Sequence, residues 1–340
     1  MHIGPRLIEV VEDAGTGELQ AFPLLLTRAL LVTQLALSLP RAHFALLRLD
    51  RFAFPAARHE FILPRSPVLN IPAGTTANLW MSPRILGGGM ERFPAEFEDL
   101  LNRRGRRLLK QTPSLEDLLA RRGTPIVLLE NVIDPGLARE CIRLLDEGFY
   151  SSLKRMYTPI PREALTGMKK NYTDKLAKTV RVRTATFNSG RSRVLDAAQE
   201  IGLAQMMTSR SFLQVAQTVT RRALRQDYWA RQVICYEHGD YSGPHNDHHP
   251  EHAATRNGFV DFHVMFSNDA VAQQLLVYEE RGYLSATHDV SRHPSIAVYR
   301  LPFWHYTTPL VARPGHEHRA RRWLLLGSFE YDPPLPKLEY

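Results

Sequence analysis

The sequence predicts an α+β protein whose C-terminal part is a jelly roll of antiparallel strands, with supporting helices and an N-terminal extension or small domain. Three observations predict it. After Trp229, short β-type runs dominate, with Gly, Asn, Asp and Pro between them. Between 94 and 225, apolar residues recur at helical spacing in several stretches. The chain has 340 residues, 44% of them hydrophobic and 23% charged, which is an ordinary globular composition and enough length for a main domain plus a further unit.

Residues 1–120 are read as the N-terminal extension, of unassigned role. The apolar run over 22–40 is broken by Thr27, Arg28, Thr33, Gln34 and Ser38 and reads as a core helix, since a membrane span needs about 20 predominantly apolar residues. Short β-type stretches follow at 44–49, 61–63 and 68–71. A helix is expected over 94–111, with Phe97, Leu100, Leu101, Leu108 and Leu109 on its apolar side. Its cluster of Arg103, Arg104, Arg106, Arg107 and Lys110 reads as a solvated face.

The second domain, 121–340, opens with a strand over 125–133. Asp134 then caps a helix that runs to 145 with Pro135 in its first turn. A second basic stretch lies between 169 and 193, and a helical region extends from 194 to about 225. Strands at 232–236, 260–266, 274–278, 295–300 and 323–329 build the jelly roll.

Cys141 and Cys235 are too few for a disulfide framework and lack zinc-ribbon spacing, so they fit a reducing compartment, with Cys235 a small buried residue. No basic segment followed by a small-residue cleavage site opens the chain, and the expected location is cytoplasmic, with no membrane partner. A formal net charge of +8 attracts anions, nucleic acid among them. The oligomeric state is not legible.

Eleven of the fourteen histidines lie between His238 and His318, inside the β region. Among them stands Gly243-Pro-His245-Asn-Asp247-His-His, directly after a strand and a short loop. Residues two apart on a strand or extended loop project to one side, so His245 and Asp247 can hold one metal ion together. Two histidines and a carboxylate on one face of an ion leave the opposite positions open, the arrangement of non-haem Fe(II) oxygenases. His305, after the strand at 295–300, is the candidate for the third ligand. His248, His249, His252 and His263 read as surface or supporting residues, and Asp261 with His263 as a same-face pair within a core strand. Zinc hydrolase patterns such as H-E-x-x-H are absent.

These residues belong to a longer series: Val233-Ile-Cys-Tyr236-Glu-His-Gly239-Asp-Tyr-Ser-Gly-Pro-His245-Asn-Asp247, Ser267-Asn-Asp, Gln274-Leu-Leu-Val-Tyr, His305-Tyr-Thr-Thr-Pro309 and Arg322-Trp-Leu-Leu-Leu-Gly-Ser-Phe. In this order they resemble the prolyl-hydroxylase-like branch of the Fe(II)/2-oxoglutarate dioxygenases, over about 124–332. The resemblance implies a double-stranded β-helix domain that takes Fe(II), 2-oxoglutarate and O2, with ascorbate a further candidate, and releases succinate and CO2. It implies His245, Asp247 and His305 as iron ligands and Tyr236 as a hydrogen-bond partner of the cosubstrate. An arginine after His305 would bind the far carboxylate through its planar fork. Alignment of the closing strand selects Arg322, with Arg319 and Arg321 open.

The sequence also departs from that pattern. Gln273-Gln274 stands where the family often carries Gly-Gly, and Arg313 to His318 lengthen the stretch between His305 and Arg322. The implied reaction is hydroxylation of an unactivated C–H bond in an amino-acid, peptide or protein substrate, or a small molecule. Desaturation or ring formation stays open, while halogenation is disfavoured because Asp247 fills the position a halide needs. Two alternatives are a nucleic-acid oxidative demethylase, which usually carries a second arginine on the last strand that is missing here, and a non-catalytic jelly-roll binding protein.

Overall fold

The computed structural model describes residues 90–165, 176–187, 192–248 and 258–336. The expected helix over 22–40 and the β-type stretches up to 71 lie outside them. Among the described residues no helix is long and apolar enough to cross a membrane.

In chain order the helices are α1 (Arg103–Gln111), α2 (Leu115–Arg122), α3 (Pro135–Leu144), α4 (Arg193–Glu200), α5 (Leu203–Met207) and α6 (Arg210–Thr220). The strands are β1 (Ile126–Glu130), β2 (Lys154–Pro159), β3 (Thr179–Thr186), β4 (Leu224–Tyr236), β5 (Tyr241–His245), β6 (Phe259–Ser267), β7 (Val271–Gln273), β8 (Leu275–Glu280), β9 (Tyr283–Asp289), β10 (Ser295–Leu301), β11 (His305–Thr307), β12 (Val311–Ala312) and β13 (Arg322–Tyr331).

Their pairing makes two antiparallel four-stranded ribbons, β10-β6-β13-β4 and β5-β11-β8-β9, joined through β3, with β1 beyond β10 and β2 beside β3. Apart from the β8–β9 hairpin, the chain crosses between ribbons from β4 to β5, β6, β8 and, after β9, to β10, β11 and β13, which is jelly-roll connectivity. The expected fold class is what the structure has.

The helices cover the outer face of the first ribbon. Val260, Phe262, Val264 and Phe266 of β6 face them, together with Val233 and Cys235 of β4 and Trp323, Leu325 and Phe329 of β13. Across this layer α6 lays Phe212, Val215, Ala216 and Val219 at helical spacing, and Phe212 meets Phe262 edge to face at 5.1 Å. Burying each such side chain is worth roughly 1.5–3 kcal/mol. The alternate residues of β6, namely Phe259, Asp261, His263 and Met265, face the inside of the roll. Covered on both sides, β6 is buried at every residue but the last, with Asp261 and His263 as the polar exceptions on its inner face.

Two expectations change. The helix over 94–111 is interrupted: a 3₁₀ turn at Phe97–Leu100 ends, and Asn102 caps α1 by accepting from the Gly105 amide while its own amide group donates to the Asn131 and Ile133 carbonyls. Gly105 is needed because a Cβ there would stand 2.3 Å from the Val132 carbonyl. The region 194–225 is broken into α4, α5 and α6 by Gly202 at φ +77° and by the Ser209 cap.

Residues before 121 pack into the core of the domain expected to begin there. Phe97, Leu100, Leu109 and Leu115 are buried in the same core as Phe262 and Phe329, so cutting at 121 would remove one wall of that core. The basic residues of α1 are exposed, as a solvated face should be.

Candidate active site

β5 and β11 lie antiparallel with His305 opposite His245, so two imidazoles become cross-strand neighbours with ring centres 4.4 Å apart. Asp247 follows β5 by two residues, but it is not extended. Its φ of +53° turns the chain into the left-handed region, which Asp tolerates better than most residues. That turn brings Oδ1 to 3.2 Å from His245 Nε2 and Oδ2 to 3.4 Å from His305 Nε2. The ligand atoms of the three lie within 4.8 Å of one another. Ligands at right angles, each about 2.1 Å from one ion, stand about 3 Å apart, so the carboxylate is spaced from both rings as a shared metal requires.

The tautomers fit as well. His245 Nδ1 is 2.7 Å from the Gly243 carbonyl and His305 Nδ1 is 3.0 Å from the Phe303 carbonyl. A carbonyl can only accept, so each Nδ1 carries the proton and each Nε2 lone pair faces the centre. Burial, seconded by the charge of His245, holds His305 down to about 3, so its ring stays neutral. Burial pulls His245 down too, but the Asp247 carboxylate and the Gly243 carbonyl outweigh it and the net shift is upward. Gly243 lets β5 approach closely: a Cβ would stand 2.1 Å from the Ala177 carbonyl.

The first ribbon supplies the facing wall. Arg322, 1% exposed, begins β13 opposite Tyr236 at the end of β4, with its guanidinium carbon 4.3 Å from the centre of that ring. Its Nε donates to Gln274 Oε1 at 2.5 Å, and Gln274 is itself held by the carbonyls of Asp240 and Thr308. Both terminal nitrogens, Nη1 and Nη2, are buried with no hydrogen-bond partner among the described residues. An orphaned guanidinium in a cavity fits a carboxylate ligand. Burial raises the Tyr236 phenol, against a smaller pull downward from Arg322 and Thr307.

The three arginines separate clearly. Arg321 points to the other face of β13, where it pairs with Asp146 at 2.9 Å and lies over the Tyr150 ring. Arg319 pairs at the surface with Asp269. Only Arg322 of the three lines the cavity that also holds His245, Asp247, His305 and Tyr236.

That cavity is about 240 Å³, small beside the roughly 300–1,000 Å³ of drug-sized sites and suited to a small organic acid with part of a second molecule. Its remaining polar lining includes Asp261, His263, Tyr299 and Ser328. The sequence reading noted the Asp261–His263 pair but not that it faces the same cavity, and it missed Gln274 and Tyr299. Alternation along β6 put Asp261 and His263 on one face, and only the pairing with β13 and β10 tells which face is inside.

No family model matches this chain, and no curated protein matches it. Among solved structures it is similar to a 2OG-Fe(II) oxygenase family oxidoreductase from Burkholderia pseudomallei, with 12% identity and a TM-score of 0.40 over 64% of this chain and 91% of that one. It is also similar to a prolyl-4-hydroxylase from Pseudomonas putida, with 14% identity and a TM-score of 0.35 over 64% and 96% of the two chains. A third is the viral collagen prolyl hydroxylase of Paramecium Bursaria Chlorella virus-1, with 12% identity and a TM-score of 0.34 over 61% and 97%.

Proposed function

We propose that the protein is an Fe(II)- and 2-oxoglutarate-dependent dioxygenase that hydroxylates an unactivated C–H bond of an amino-acid, peptide, protein or other small substrate. The observation that carries this reading is one cavity holding both a His-Asp-His group with its Nε2 atoms turned inward and a buried guanidinium whose terminal nitrogens lack a partner among the described residues.

His245, Asp247 and His305 would hold Fe(II) on one side, leaving the opposite positions open. Iron and 2-oxoglutarate together supply the O2-activating chemistry, in which one oxygen atom enters the substrate and the other enters succinate as CO2 leaves. Arg322, fixed by Gln274, would bind the far carboxylate of 2-oxoglutarate through Nη1 and Nη2, with the Tyr236 ring packed against the guanidinium. The carbonyls of Gly243 and Phe303 keep both imidazoles in the ligating tautomer. The apolar walls, Leu276 and Leu324 among them, keep bulk water from the reacting region.

The test is turnover of 2-oxoglutarate under air with Fe(II). Succinate is expected from the wild type even without added substrate, slowly, and not from His305→Ala. A substrate would raise the rate and gain the mass of one oxygen atom. Wild-type succinate at the level of the metal-free protein would overturn the proposal.

A further inference from the structure

Arg322 and Asp261 occupy the two ends of one strand pair. Arg322 lies opposite Ser267 and Ser328 lies opposite Asp261, so at about 3.3 Å per residue these positions are some 20 Å apart along β13 and β6. The cavity therefore has a guanidinium at one end and a carboxylate near the other, with the His-Asp-His group on the facing ribbon.

Asp261 is 6% exposed and its Oδ1 accepts from the Ser328 hydroxyl. Its Oδ2 is 3.8 Å from His263 Nε2, too far for a hydrogen bond. His263 is 7% exposed, lines the cavity, and has both ring nitrogens buried without a partner among the described residues. Buried polar groups are normally paired, and a buried carboxylate normally faces a cation. Here the carboxylate and the imidazole leave between them a gap that a nitrogen with several N–H bonds would bridge.

Charge points the same way. Among the described residues, apart from the histidines and the weakly acidic tyrosines, the titratable residues lining the cavity are Asp247, Asp261 and Arg322. With iron and cosubstrate in place, Fe(II) offsets the doubly charged 2-oxoglutarate and Arg322 offsets Asp247. Asp261 is left over.

We propose that Asp261, with Ser328 and His263 beside it, recognises a positively charged nitrogen of the substrate, an ammonium or a guanidinium. This rests on the oxygenase reading and deepens it by naming the substrate's chemistry. A cation seated at Asp261 would lie next to His263, whose ring packs on Tyr299 at 4.2 Å, and Tyr299 in turn packs on His305 at 5.5 Å. The carbon chain attached to that nitrogen would then extend toward the metal ligands.

The test is calorimetry on the full-length protein with Fe(II) and 2-oxoglutarate under argon. The probes are Nα-acetyl-lysine and Nα-acetyl-arginine methylamides against their neutral counterparts, norleucine and citrulline, each alone and within an octapeptide. The cationic probes are expected to bind the wild type at least tenfold tighter than the neutral ones, and Asp261→Asn to lose that preference while keeping its melting temperature and its 2-oxoglutarate affinity. The comparison of capped residue with octapeptide tells a small amine from a peptide side chain. Equal binding of cationic and neutral probes by the wild type overturns the proposal, and this arm decides even where Asp261→Asn does not fold. An undiminished preference in a folded Asp261→Asn overturns it too. Failure of the wild type to bind 2-oxoglutarate in the same instrument would instead sink the oxygenase reading.

Discussion

Arg322 is the side chain with the most to lose when its neighbours change, because it is buried, charged and anchored at only one of its three nitrogens by a described partner. Arg322→Ala should weaken 2-oxoglutarate binding by at least about 30-fold, since truncating a buried charge-pair partner costs about 2 kcal/mol or more. Arg322→Lys keeps the charge but loses the fork and should recover only part of that affinity. Gln274→Ala acts through Arg322, so the KM for 2-oxoglutarate should rise about tenfold with little change in kcat. A kcat loss with unchanged KM would contradict this. Much of the site was legible at this scale, because the order of His245, Asp247, His305 and Arg322 along the chain carries the resemblance. Gln274 was legible only as a departure from Gly-Gly. Its use appears once β13 lies in place to receive it. The turn at Asp247 was not legible either, since spacing alone put it on an extended segment.

Elements form here where caps and close approaches allow, and those details decided what the sequence hid. Hydrophobic periodicity gave α3, β6, β8, β10 and β13 to within about two residues, since Asp134 with Pro135 makes an unambiguous start and β6 is buried on both faces, whereas β4 begins eight residues before the expected 232 and the short or exposed β5, β9 and β11 carry no such signal. Periodicity could not show the break at Asn102, because the apolar stripe continues through it while the capping partners, Asn131 and Ile133, come from elsewhere in the chain. Gly105→Ala tests that junction. Its methyl would collide with the Val132 carbonyl and should lower stability measurably in urea, whereas Gly315→Ala, with open space around it but φ +77°, should cost less. Asp134→Ala removes the cap that accepts from the Gly136 and Leu137 amides and should cost about 0.5–2 kcal/mol, read as a shift of the urea midpoint with unchanged slope.

The whole molecule depends on the layer of helices that closes one side of the jelly roll. Phe97, Leu100 and Leu115 precede the first strand yet share a core with Phe262 and Phe329, a long-range fact that no local signal before residue 121 announces. A fragment over 90–340 should therefore unfold cooperatively, and a fragment over 121–340 should be insoluble or bind a dye for exposed apolar surface; equal stability of the two would show that Phe97, Leu100 and Leu115 do not support the core. The same layer packs against β13 and β4, whose inner faces help to build the cavity as one unit. The most direct test is titration of the metal-free protein with Fe(II) and 2-oxoglutarate under argon, followed in the visible spectrum, with His245→Ala and Arg322→Ala alongside. A visible charge-transfer band is expected in the wild type, with its loss in His245→Ala and its appearance in Arg322→Ala only at far higher 2-oxoglutarate. No band in the wild type would contradict the account and favour a non-catalytic binding protein on the same fold.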